Sequence, residues 1–134
     1  MKESIKKEEI PFDAKTVTDI IWSKIQAKYI ETINNKKQQE WFSITCPIEH
    51  TIKERHIEYK LIIDDKAYND VDFKELYDLT KDCGLLYYIN EENIRFYISN
   101  ENLGLIIKHK KMLEEGLSPS LILKRVKENI SKSE

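Results

Sequence analysis

The chain is poor in the residues that mark several common classes of protein. It has 134 residues but only three glycines, three prolines and two cysteines. This scarcity excludes collagen, low-complexity linkers and the glycine-rich loops that bind phosphate. No apolar run reaches the roughly 18 residues that a membrane span requires, and the charged N-terminus, MKESIKKEEI, lacks the apolar core of a secretory signal. Two cysteines make no disulfide framework, so a cytoplasmic protein is predicted.

The composition is typical of one folded domain. Hydrophobic residues make up 40% of the chain and charged residues 34%, and a chain of this length buries enough surface for a single core. Residues 1–12 show no periodicity and are predicted to form a flexible N-terminal arm. Residues 13–134 are predicted to form one domain.

Charge is nearly balanced overall but uneven along the chain. The formal net charge is −2, which removes any strong expectation of nucleic-acid or membrane binding from charge alone. Residues 64–84 carry seven acidic residues against three lysines, whereas residues 101–134 carry seven basic residues against five acidic ones. Such an asymmetry could orient the protein on a charged partner.

The first half of the chain predicts one helix and two strands. Apolar residues repeat every four positions from Val17 to Ile33, which predicts a helix from about Ala14 to Asn34. The aromatic and β-branched segment 41–46 predicts a strand that stops at Pro47, and the alternating segment 57–63 predicts a second strand. Between them, a polar connection of about ten residues is expected.

The second half of the chain has clearer helix-capping and turn signals. Asp72 and Glu75 fit a capping box and Gly84 fits a helix C-terminus, so a helix is predicted between them. Two strand-like runs around a polar turn predict a hairpin over 85–99. A helix capped by Ser99 or Asn100 should end at Gly116, and a last helix should begin at Ser118-Pro119. These elements predict an α+β fold with antiparallel hairpins and about four helices.

Two arrangements of residues suggest chemistry, and neither is favoured. Cys46, His50, His56 and Cys83 lack the paired spacing of a zinc site. Glu49, Glu58 and Lys60 resemble the carboxylates and lysine of metal-dependent nucleases, but alternating charges also complete an ordinary amphipathic strand. No enzymatic activity, cofactor or metal is therefore predicted.

The C-terminal third resembles part of a known family. Residues 94–103, IRFYISNENL, residues 112–118, MLEEGLS, and Ile122 look like the end of a MerR-type winged-helix domain. The resemblance covers residues 94–130 and implies a winged-helix-like C-terminal half. It also implies that Arg95 and Tyr97 match wing positions that contact DNA phosphates. The chain departs from the family upstream, where no recognition helix separates Gly84 from the hairpin.

The main functional prediction is a small non-enzymatic protein that binds nucleic acid as an accessory or regulatory factor. The residues predicted to contact nucleic acid come from the wing resemblance and from the basic C-terminal segment: Arg95, Tyr97, Lys108, Lys110, Lys111, Lys124, Arg125 and Lys127. The alternative is a protein-interaction module or inhibitor, of the kind found in mobile elements, that uses its acidic 64–82 surface, in which Asp70, Asp78 and Asp82 would contact a basic partner. No membrane partner is expected, and a homodimer is left open.

Overall fold

The computed structural model describes the backbone of residues 8–133 and the side chains of residues 8–129. This part of the chain forms six strands and five helices. The strands are β1 (Glu8–Pro11), β2 (Trp41–Ile52), β3 (Ile57–Ile63), β4 (Lys66–Asn69), β5 (Leu86–Ile89) and β6 (Asn93–Ser99). The helices are α1 (Ala14–Asn34), α2 (Phe73–Asp82), α3 (Asn100–Lys108), α4 (Lys110–Glu114) and α5 (Pro119–Ser133). The predicted α+β class is confirmed.

All six strands join one sheet, in the order β1-β4-β3-β2-β6-β5. The β1–β4 pair is parallel and every other pair is antiparallel. The sheet is therefore mixed, not antiparallel as the sequence predicted. The difference arises at β1, which pairs with β4 across more than 50 residues of chain, a contact that no local pattern announces.

Helices pack on one face of the sheet, and the opposite face, called here the open face, carries most of the exposed strand residues. Alternate residues of β2, from Phe42 to Ile48, are buried in the core with Ile94, Phe96 and Ile98 of β6. Helix α1 contributes buried residues such as Ile21 and Ile25 to the same core. Because neighbouring strand residues point to opposite faces, the intervening residues of β2 and β6 lie on the open face.

The predicted helix ends agree with the structure. The Asp72 side chain accepts a hydrogen bond from the Glu75 amide at 3.1 Å, and the Ser99 hydroxyl accepts one from the Asn102 amide at 3.2 Å. Gly84 and Gly116 both have positive φ, at 78° and 95°. Each glycine follows a helix in the left-handed conformation that a Schellman cap requires.

Strand β2 is longer than predicted, because it continues through Pro47 to Ile52. The Asn100 amide donates to the Glu40 carbonyl and the Ile48 amide to the Glu92 carbonyl, so even-numbered residues of β2 bond to β6. The backbone groups of odd-numbered residues, including Pro47, point away from β6 toward the edge where β3 pairs, and that pairing begins only at Ile48. The missing proline donor therefore costs no bond to β6. The connection between β2 and β3 therefore consists of residues 53–56, and not of the expected ten residues.

Two further expectations differ from the structure, and a third is not confirmed. Residues 8–11 form β1 where an arm was expected, while residues 1–7 of that arm lie outside the described part of the chain. The hairpin over 85–99 is confirmed, and the chain does break at Gly116, but His109 interrupts the preceding helix and raises the helix count from about four to five. Helix α2 leads directly into β5, so the winged-helix-like topology is not confirmed.

Candidate binding surface

The open face of the β2-β6-β5 half of the sheet carries an aromatic surface. It consists of Trp41 on β2, Arg95 and Tyr97 on β6, and Leu86 and Tyr88 on β5, called here the aromatic patch. Of these, Trp41 is 46% exposed, Leu86 53% and Tyr88 60%. Large apolar side chains that share one exposed face of a protein mark interaction sites more often than scattered ones do.

Strand register brings the members of the patch together. Tyr97 lies between Leu86 of β5 and Ser43 of β2, and Arg95 lies between Tyr88 and Thr45. The Trp41 and Tyr97 rings meet edge to face with centroids 5.6 Å apart. The Arg95 guanidinium carbon lies 5.8 Å from the Tyr97 ring centroid, within the range of a cation–π contact. The exposed Arg95 thus lies over one ring of the patch, that of Tyr97.

The other half of the open face carries charged side chains beside the buried Ile62 of β3 and Ala67 of β4. On β3, Glu58 lies 3.4 Å from the Lys53 ammonium, and the Lys60 ammonium lies 3.8 Å from Glu9 of β1. Glu49, the remaining carboxylate of the nuclease-like arrangement, is the cross-strand neighbour of Lys60. Opposite charges therefore face one another across the strands, which is an ordinary surface role.

The structure divides the predicted nucleic-acid residues between two sides of the molecule. Arg95 and Tyr97 lie on the open face, and they are brought together. The other six lie on the helices that cover the opposite face, and all are exposed: Lys108, Lys110, Lys111, Lys124, Arg125 and Lys127. Lys110 also forms an ion pair with Glu114 at 3.9 Å. A flat ligand therefore cannot contact both groups at once.

The acidic residues of the alternative prediction are exposed on and near α2. Asp78 and Asp82 lie one turn apart on the helix, and Asp70 lies in the turn before it with a positive φ of 57°. The Asp78 carboxylate is 3.3 Å from the Lys74 ammonium. Part of the predicted negative surface is therefore neutralised within the helix itself.

The two thiols are shielded from solvent to different degrees: Cys46 is buried and Cys83 is half-buried. Burial raises the pKa of Cys46 to about 11 and that of Cys83 to about 11, which disfavours the thiolate that a cysteine nucleophile requires. Among residues 8–133, no three His, Cys, Asp or Glu side chains are grouped to hold a metal ion. None of the described helices is long and apolar enough to cross a membrane.

Comparisons with known proteins found no match: no protein-family model, curated protein or solved structure is similar to this chain. The surface must therefore be interpreted from its own chemistry.

Sequence reasoning found only part of the patch. Alternation along β5 predicts that Tyr87 and Tyr88 face opposite ways, and the structure buries more of Tyr87 and exposes Tyr88. Tyr87 packs its ring 5.4 Å from that of Tyr77, and burial, followed by the neighbouring Tyr77 phenol, raises the pKa of Tyr87. No local pattern predicts Trp41 as a member of this surface, since only the pairing of β2 with β6 places it beside Tyr97.

Proposed function

We propose that this chain is a non-enzymatic binding protein that recognises a protein partner through the aromatic patch. The observation that carries the proposal is the grouping of Trp41, Tyr88, Arg95 and Tyr97 on one exposed sheet face, with Tyr97 in contact with both Trp41 and Arg95. Tryptophan, tyrosine and arginine are the residues enriched at the energetic centres of protein interfaces. Aromatic rings supply large contact areas, and an arginine among them adds orientation.

Charge favours a protein partner over a long nucleic acid. The chain has a net charge of −2, and Arg95 is the one cation of the patch. Nucleic-acid binding draws most of its affinity from several phosphate contacts by lysine and arginine, but the six basic helix residues lie on the other side of the sheet. A partner that offers an apolar surface with a carboxylate opposite Arg95 fits the patch best.

Nucleic-acid binding is the second candidate, and one observation supports it. Arg95 lies over the Tyr97 ring at 5.8 Å with Trp41 beside it, and such rings and guanidinium planes can stack on the bases of single strands. The wing resemblance assigns the same two β6 residues to DNA contact. This second candidate binds single-stranded nucleic acid on the open face, and its affinity falls as the salt concentration is raised.

The protein-partner proposal is tested by quantitative co-purification from the organism of origin. The test variant replaces Trp41 and Tyr88 by serine. A matched control replaces Ile52 and Ile57 by serine, because these isoleucines are 76% and 46% exposed and pair with each other at the end of β2 that lies far from Trp41. We expect a partner that is retained by the wild type and the control but lost, by tenfold or more, with the patch variant. Calorimetry with the purified partner then measures the same loss.

The two rival surfaces are tested on the same preparations. A fluorescent single-stranded oligonucleotide, titrated by anisotropy at low and high salt, tests the nucleic-acid candidate. Reversal of Asp70, Asp78 and Asp82 to lysine tests the acidic surface. Loss of the partner on this reversal, with the Trp41 and Tyr88 variant still binding, would overturn the assignment to the patch. Salt-sensitive oligonucleotide binding that requires Arg95 would favour the second candidate. The cytoplasmic location likewise remains a prediction, consistent with two free thiols.

A further inference from the structure

The described sheet has outer edges at β1 and β5, and β2 has an unpaired stretch where β3 has turned away. Two of these three stretches are protected against pairing with another chain. Unpaired edges invite pairing with other chains, and proteins protect them with charges, prolines or capping side chains. Strand β1 carries Glu8, Glu9 and Pro11. Where β3 has turned away from β2, the Ser43 carbonyl accepts from the Lys28 ammonium at 2.7 Å, and the Trp41 carbonyl accepts from the Gln39 side chain at 2.8 Å.

The third edge, along β5, has no such protection. Its sequence, LYYI, contains no charge and no proline. Leu86, Tyr88 and Ile89 are 53%, 60% and 40% exposed, and Tyr77, whose ring packs on Tyr87, adds a further 45% exposed tyrosine beside the strand. This contrast with the two protected edges indicates a contact surface.

We propose that β5 pairs antiparallel with β5 of a second copy of this chain. The two six-stranded sheets would then form one continuous sheet, with both aromatic patches on the same side. The contact covers Leu86 and Tyr88 of the patch but leaves Trp41, Arg95 and Tyr97 uncovered, so Tyr97→Ala tests partner binding without altering β5.

Hydrogen-bond parity fixes how the two strands meet. The Asn90 amide donates to the Asn93 carbonyl at 2.9 Å, so Leu86 and Tyr88 bond to β6, while the backbone groups of Tyr87 and Ile89 point outward. The Leu85 amide already donates to the Thr80 carbonyl at 2.9 Å. Only Tyr87 and Ile89 are therefore fully available on this edge.

If the two-fold axis of the dimer passes through Tyr88, all of these outward backbone groups form hydrogen bonds between the two copies. Tyr87 of each copy then exchanges both backbone hydrogen bonds with Ile89 of the other copy, and Tyr88 faces Tyr88. The register centred on Tyr87 is disfavoured, because it would pair Ile89 with Leu85, whose amide is occupied. Tyr87 then lies opposite Ile89 and Tyr88 opposite Tyr88, while Leu86 lies opposite Asn90 of the other copy, and β5 carries no charge that would meet the same charge on the other copy.

The available area sets the strength of the contact. Taking about 200 Å² for each large side chain, the exposed parts of Tyr77, Leu86, Tyr88 and Ile89 offer roughly 400 Å² of apolar surface per copy. With the strand edges, two copies would bury about 1,000 Å² or slightly more, the lower limit for a specific interface. A net charge of −2 per copy adds little repulsion. The expected complex is a concentration-dependent dimer with a dissociation constant in the micromolar range.

Sedimentation equilibrium of the full chain tests the proposal, from about 1 µM to about 1 mM, the range in which so small an interface associates. We expect the mass to rise from 16.0 kDa toward twice that value. Ile89→Pro removes an outward amide without removing a bond to β6, and Tyr88→Lys places two ammonium groups face to face. Both should weaken dimerisation at least tenfold. Ile52→Lys, at a 76% exposed strand residue far from β5, is the matched control and should dimerise normally.

A cross-link tests the register independently. Directly opposed residues of a pair without mutual hydrogen bonds have Cα atoms about 4.5 Å apart, which a disulfide can bridge. Tyr88→Cys should therefore form an intermolecular disulfide much faster than Ile52→Cys under the same mild oxidation. A wild type that stays at 16.0 kDa throughout would overturn the proposal. So would a dimer that survives both Ile89→Pro and Tyr88→Lys, or that fails to cross-link through Tyr88→Cys, since each result places the interface elsewhere.

Discussion

Phe96 and Tyr97 are neighbours in the chain but should respond oppositely to truncation. Phe96 lies on the covered face of β6 and is fully buried, so Phe96→Ala should lower the free energy of unfolding by about 3–5 kcal/mol. Tyr97 lies on the open face, where its ring contacts are Trp41 at 5.6 Å and Arg95 at 5.8 Å. An aromatic pair contributes about 0.5–1.5 kcal/mol, so Tyr97→Ala should cost about 1 kcal/mol.

Urea denaturation separates these two magnitudes. With an m-value of about 2 kcal/mol/M for a domain of this size, the midpoint should fall by roughly 2 M for Phe96→Ala and by about 0.5 M for Tyr97→Ala. Phe96→Leu, which keeps most of the apolar volume, should fall between them and remains measurable if the alanine variant is largely unfolded. Partner binding should show the reverse order, with Tyr97→Ala the weaker binder.

Equal losses of stability for Phe96→Ala and Tyr97→Ala would refute this reasoning. Such a result would mean that the open face is covered as thoroughly as the helix-packed face. The aromatic patch would then be a second core, and both the proposed function and its binding surface would fail together.

Two further predictions concern the thiols and a helix end. Because burial raises the pKa of Cys46 from 9.0 to about 11, the unfolded thiol ionises first, and the free energy of unfolding should fall between about pH 9 and pH 11 by as much as ~2.7 kcal/mol. A Cys46→Ala variant should show a flatter dependence in the same urea titrations, and an identical slope would contradict the assignment. Gly116 has a φ of 95° and open space where a Cβ would lie, so Gly116→Ala should cost about 1 kcal/mol through backbone conformation alone. Calorimetry should show a melting temperature lower by about 3–5 °C, and an unchanged value would contradict the left-handed cap.

Local signals in the sequence determined most of the elements. The four-residue apolar repeat placed α1 at Ala14–Asn34, and the capping side chains and glycines placed the ends of α2 and the start of α5. The turn Asn90–Asn93 placed the β5–β6 hairpin, where the Asn90 side chain accepts from two following amides at 2.8 Å. These signals succeed because capping and turn formation involve residues only two to five positions apart.

Tertiary structure decided the sheet and the surface. Strands β1 and β4 are four residues long, and each depends on pairing with a distant segment, because β1 pairs with β4 and β4 also pairs with β3. Neither strand therefore had a readable pattern of its own. Pro47 can lie within β2 only because its backbone nitrogen, which has no hydrogen to donate, faces a side where no strand pairs. Likewise, the register between β2 and β6 placed Trp41 beside Tyr97 and separated Arg95 from the basic helix residues. Long-range pairing depends on which distant segments complete one another's hydrogen bonds, and that information is not local to any stretch of the sequence.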